Sequence, residues 1–166
     1  MPTYSFSRSG CRLQCWALAW LSILPVLFAT VTLAQDSQQS LAIATFDLDA
    51  SPPVGSPLAY DPTIAIEESL RCRGVVILGS GQPIVLCAVD WIGISNDAWL
   101  TFKEKLAEAA GTTPDRVAVH ALHQHDAPRC DFASDQLLIQ HGVKQSFFDS
   151  PFARDVIQRS AAAIRN

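Results

Sequence analysis

Two apolar runs with one amphipathic run between them constrain this chain more than any other feature. Residues 84–90 read Ile, Val, Leu, Cys, Ala, Val, Asp, and residues 116–122 read Arg, Val, Ala, Val, His, Ala, Leu. Each is short, rich in β-branched side chains and almost uniformly apolar, the pattern of strands covered by helices. Between them the period changes. Trp99, Phe102, Leu106 and Ala109 or Ala110 fall on one face of a helix over residues 96–110, while Lys103, Glu104, Lys105 and Glu108 mostly fall away from it. Asn96 suits an N-cap and Gly111 a C-terminal stop. A strand, a helix and a strand in that order predict a parallel pair joined by a right-handed crossover.

The preceding residues extend the sheet. Val75, Val76, Ile77 and Leu78 end a strand over residues 68–78, and the five residues from Gly79 to Pro83 turn it back into the next strand as a β-hairpin. Residues 41–49 alternate as a further strand. Pro52, Pro53, Gly55 and Pro57 make the next stretch a loop, and residues 58–66 show no period. Residues 132–145 and 151–165 read as helices. The fold class expected is α/β: a mixed sheet with a β-hairpin and a parallel β-α-β unit, helices packed on the sheet, forming a partial domain.

This topology gathers chemistry at one edge. Strands of a parallel pair end on the same side of a sheet, where ligands of open α/β sheets collect. The first ends in Asp90; the second runs out into His123, His125 and Asp126 before Pro128 stops the ladder. Residues two apart on an extended chain point the same way, so both imidazoles are expected to face one point, as metal ligands or as a solvated pair. Asp90 either orients an imidazole or caps the following turn. Asp90, Asp126, Cys130 and Asp131 are the candidates for a third ligand. His141 reads as a histidine on a helix surface.

Composition narrows the function classes. Residues 15–34 are apolar and uncharged, preceded by Arg8 and Arg12 and ending in Thr32 and Ala34, small residues where a signal peptidase would read. Residues 1–34 are therefore expected to be an export signal, or an uncleaved anchor, since about 20 apolar residues also span a bilayer. In both cases the remainder is exported, secreted or periplasmic. Without Arg8 and Arg12 it carries ten basic and sixteen acidic side chains, net −6, with no basic run, which speaks against nucleic acid as a partner. Cys11 and Cys15 belong to the leader. Of the remaining Cys72, Cys87 and Cys130, the first two lie in facing apolar runs, either bridged or, preferably, buried as small hydrophobes.

Residues 41–130 resemble the N-terminal part of the neutral/alkaline non-lysosomal ceramidase family. The resemblance rests on four pieces in the family's order: a strand ending in Asp49 with Pro52 and Pro53 after it; a hairpin patterned from Arg73 through Gly79, Ile84 and Val85 to Asp90; an amphipathic helix ending in Ala110, Gly111, Thr112, Thr113 and Pro114; and a strand running into His123, His125 and Pro128 as His-x-His-x-x-Pro. It implies an incomplete α/β domain over residues 41–166, a Zn2+ ion held by His123, and His125 beside the metal against the substrate. The implied activity is hydrolysis of an N-acyl amide such as ceramide, with a small-molecule or lipid-like substrate, in sphingolipid metabolism. Two departures stand out. Asp126 and Ala127 replace the family's usual Ser-Gly, and the later His, Glu and Tyr zinc ligands of its longer members match no position here. A carboxylate at residue 126 either raises the basicity of His125 or takes a ligand position itself. The alternative is a non-catalytic exported α/β binding module with a degenerate metal site.

Overall fold

The computed structural model describes residues 40–143 and 147–166; the expected leader, with Cys11 and Cys15, lies outside the described residues. In chain order the elements are β1 (Ala42–Asp49), β2 (Arg71–Leu78), β3 (Ile84–Val89), β4 (Gly93–Ile94), α1 (Asn96–Ala110), β5 (Val117–Ala121), β6 (Arg129–Cys130), α2 (Phe132–Gln140) and α3 (Ser150–Arg165). The main sheet has the order β1-β2-β3-β5, and β4 pairs with β6 in a second, two-stranded sheet. β2 and β3 form the predicted hairpin, with Cys72 opposite Val89 and Ile77 opposite Ile84. β3 and β5 form the predicted parallel pair, with Val85 beside Val117 and Val89 beside Ala121. The described residues thus form an α/β fold with a mixed sheet and three α-helices.

α1 spans the residues its periodicity marks out and buries Ala98, Phe102, Leu106 and Ala107. Gly111 ends it in the left-handed conformation at φ 66°, its N–H reaching the Ala107 and Glu108 carbonyls. The start differs from expectation. Ser95 holds the N-cap position, and Asn96, at φ 48°, is the first helical residue, its amide donating to the Asp131 carboxylate at 2.8 Å. Asn96 therefore ties α1 to the beginning of α2. β2 starts at Arg71, three residues after the expected start. α2 stops at Gln140, with His141 exposed just past its end and Gly142 turning the chain away at φ 72°.

The core lies on one side of the sheet. Phe46, Cys72, Val76, Val85, Cys87, Val89, Val117 and Val119 alternate along their strands and are buried against α1 and α3. Strands apolar on both faces predict cover on both. Here both of those helices lie on the same face, and among the described residues the other face keeps Ile84 37% and Leu86 43% exposed. Gly74 is needed where β1 crosses β2: the Phe46 ring lies over it, and a β-carbon there would overlap that ring and the Leu86 carbonyl. Cys72 and Cys87 are free thiols on the covered face with sulfurs 3.5 Å apart. They sit in the core as small hydrophobes. The neighbouring Cys72 and burial raise the Cys87 thiol far above its ordinary range.

Candidate functional site

Beyond β3 and β5 the two segments continue side by side before separating around a loop. Leu122 N–H donates to the Val89 carbonyl at 3.0 Å, and His123 N–H to the Trp91 carbonyl at 3.0 Å. Further on, Ile92 N–H reaches the Pro128 carbonyl at 3.1 Å, and β4 lies beside β6, Gly93 against Arg129 and Ile94 against Cys130. Residues 123–126 are thus an exposed loop between two anchored ends. Trp91 fixes the inner side. It is fully buried, donates from its indole to the Ala50 carbonyl at 3.0 Å, and packs edge-on against Phe102.

The two imidazoles meet on this loop, though not by the route the sequence suggests. An extended chain would put both side chains on one side by simple alternation. Instead His123 adopts φ 63°, a left-handed conformation that bends the backbone out of the strand. The ring centroids of His123 and His125 lie 5.0 Å apart at 76°. His123 Nδ1 is 2.9 Å from the Ile92 carbonyl. A carbonyl only accepts, so Nδ1 carries a proton, and in the neutral ring Nε2 keeps its lone pair.

The carboxylates behave differently. Asp90 does lie at the carboxyl end of β3, but it accepts from Arg71 N–H at 2.8 Å and faces the Arg73 guanidinium at 3.6 Å. It closes the β2 end of the hairpin, and the Ile92 carbonyl performs the orienting task considered for it. Asp126 is exposed, its N–H bonded to the Gln124 side-chain oxygen. Asp131 caps α2, accepting from Ser134 N–H at 3.1 Å. Cys130 is buried, and desolvation pushes its thiol up to about 12, so no thiolate is offered at neutral pH. Among the described residues no three His, Cys, Asp or Glu side chains gather into a group that would hold a metal ion.

One neighbour carries no signal in the sequence. Tyr60, from the patternless stretch after β1, brings its phenol oxygen to 3.4 Å from His125 Nδ1, with ring centroids 5.7 Å apart. The backbone pins this stretch to the histidine loop: Ala59 N–H donates to the Ala127 carbonyl at 3.1 Å, and Arg129 reaches the Ala59 carbonyl at 3.2 Å. Beside His123 opens a cleft of about 610 Å³, its apolar wall formed by Ile92, Leu137, Leu138 and Phe147. The site therefore presents two neighbouring imidazoles, His123 lining a largely apolar cleft and His125 lying against a tyrosine. No protein-family model matches the chain, and no curated protein matches it.

Proposed function

We propose that the chain is an exported, zinc-dependent amide hydrolase domain of the neutral ceramidase kind, acting on an N-acyl amide with a lipid-like apolar part. The observation that carries this reading is His123. Its Nδ1–H is spent on the Ile92 carbonyl, so in the neutral ring Nε2 is the nitrogen left for a metal, the arrangement common in metal-ligating histidines. His123 would hold the ion, and His125, 5.0 Å away between ring centroids, takes the place beside it against the substrate. Zinc would supply Lewis acidity toward an amide carbonyl and toward water. The apolar wall of the cleft beside His123 suits a hydrocarbon chain, and the exposed imidazole of His125 would exchange a proton with the polar part of such a substrate. Asp126, next to His125 in sequence and exposed, would have to turn toward the two rings to serve as a ligand.

The donor set also favours a second reading. Catalytic zinc takes three protein ligands, and the described residues bring two imidazoles together without a third His, Cys, Asp or Glu. A non-catalytic exported binding module with a degenerate, weak metal site would look like this. Calorimetric zinc titration of the full chain and its His123→Ala, His125→Ala and Asp126→Ala variants separates the two. The hydrolase reading expects near-stoichiometric zinc, lost in His123→Ala, and chelator-sensitive cleavage of an N-acylated long-chain amine. Zinc affinity no tighter than micromolar in a folded parent, unchanged by His123→Ala, would leave the binding module.

A further inference from the structure

Tyr60 is 71% exposed, yet its position is fixed. The Ala59 backbone bonds to the histidine loop on one side and to Arg129 on the other, and Leu58 N–H closes a turn onto the Asp61 carbonyl at 3.0 Å. This turn holds the phenol at His125 Nδ1. A distance of 3.4 Å is long for an O–H···N bond, but hydrogen bonds in ligand-free sites are often long and tighten when the site is loaded.

We infer that Tyr60 is a positioning residue that sets the tautomer of His125 opposite to that of His123. A phenol gives its proton more readily than it accepts one, while neutral imidazole has one acceptor nitrogen. Tyr60 O–H therefore donates to His125 Nδ1 and leaves the ring proton on Nε2. His123 is the reverse, because the Ile92 carbonyl demands a proton on its Nδ1. The two outward nitrogens then differ in chemistry. His123 Nε2 offers an electron pair, which suits a cation; His125 Nε2–H offers a hydrogen bond, which suits a carbonyl oxygen gaining negative charge. An amide carbonyl lying between a cation held by His123 and the His125 N–H would be polarised from both sides. This functional consequence rests on the hydrolase reading, but the tautomers can be measured without it.

The test is a long-range ¹⁵N–¹H correlation spectrum of the histidine rings in the full, metal-free chain at pH about 9, where imidazoles are neutral. The Nδ1–H pattern is expected for His123 and the Nε2–H pattern for His125. Tyr60→Phe keeps the ring and removes the hydroxyl. In it, the His125 nitrogens should move toward the average of the two tautomers, while His123 and the backbone amides of Ala59 and Ala127 stay in place. His125 in the Nδ1–H form in the parent, or His125 nitrogens unchanged in Tyr60→Phe, would overturn the assignment. So would a joint movement of His123, Ala59 and Ala127, which would mean that Tyr60 acts only by packing the loop. A chain that shows the two tautomers but binds no zinc and cleaves no amide would keep the assignment and lose the hydrolase.

Discussion

His123 combines an unfavourable backbone with a satisfied side chain. A β-carbon at φ 63° costs about 1–2 kcal/mol relative to ordinary conformations, and glycine avoids most of that cost. The imidazole partly offsets it through the Ile92 carbonyl, and the backbone N–H through the Trp91 carbonyl. His123→Ala keeps the strain and loses the ring; His123→Gly loses both. Urea unfolding should therefore find His123→Gly more stable than His123→Ala by about 1 kcal/mol. Equal stability would mean that the left-handed bend does not persist in solution. This bend is also why the sequence, read as an extended strand, identifies the pair of histidines without its geometry. The motif places both rings on one short loop, but the turn that brings them together depends on the Trp91 and Ile92 carbonyls of the segment that follows β3. Tyr60 was illegible for a similar reason. It lies 65 residues before His125, in a stretch whose only organisation is tertiary.

At the scale of the elements, α2 depends on the residue that caps it. Asp131 accepts from the Ser134 N–H and hydroxyl and from the Asn96 amide. Partial burial raises its carboxyl, but these donors outweigh that effect and hold it below the ordinary carboxylate range. A carboxyl lowered in the folded state stabilises the fold above its unfolded value of about 3.9, and that contribution is lost as pH falls through the lower folded value. Asp131→Ala should cost about 1 kcal/mol at pH 7. The difference from the parent should shrink as pH falls below about 4. Urea midpoints at pH 7, 4 and 3 check both; a constant difference would assign the loss to packing. The sequence shows the helix but not this cap, because Asn96 reads as the N-cap of α1, a position for which Ser95 is about equally suited by residue type. In the structure Ser95 takes that position in α1, and Asn96 serves α2.

At the scale of the whole molecule, the order of elements was readable from hydrophobic runs and turn residues. The parallel β3–β5 pair and the edge carrying the histidines follow from that order. How many faces the helices cover was not readable. A strand such as β3, apolar at every position, looks the same whether one face or both are buried, and only the placement of α1 and α3 separates Val85 from Leu86. Val85 is fully buried and Leu86 is 43% exposed, so neighbouring residues of one strand should respond oppositely to the same change. Val85→Thr places a hydroxyl in the core without a designed partner and should cost about 1–3 kcal/mol. Leu86→Thr trades a half-exposed side chain for a good strand former and should cost less than about 1 kcal/mol. Urea midpoints with unchanged m-values would establish the one-sided core. A loss at residue 86 as large as that at residue 85 would mean that the second face is covered in solution.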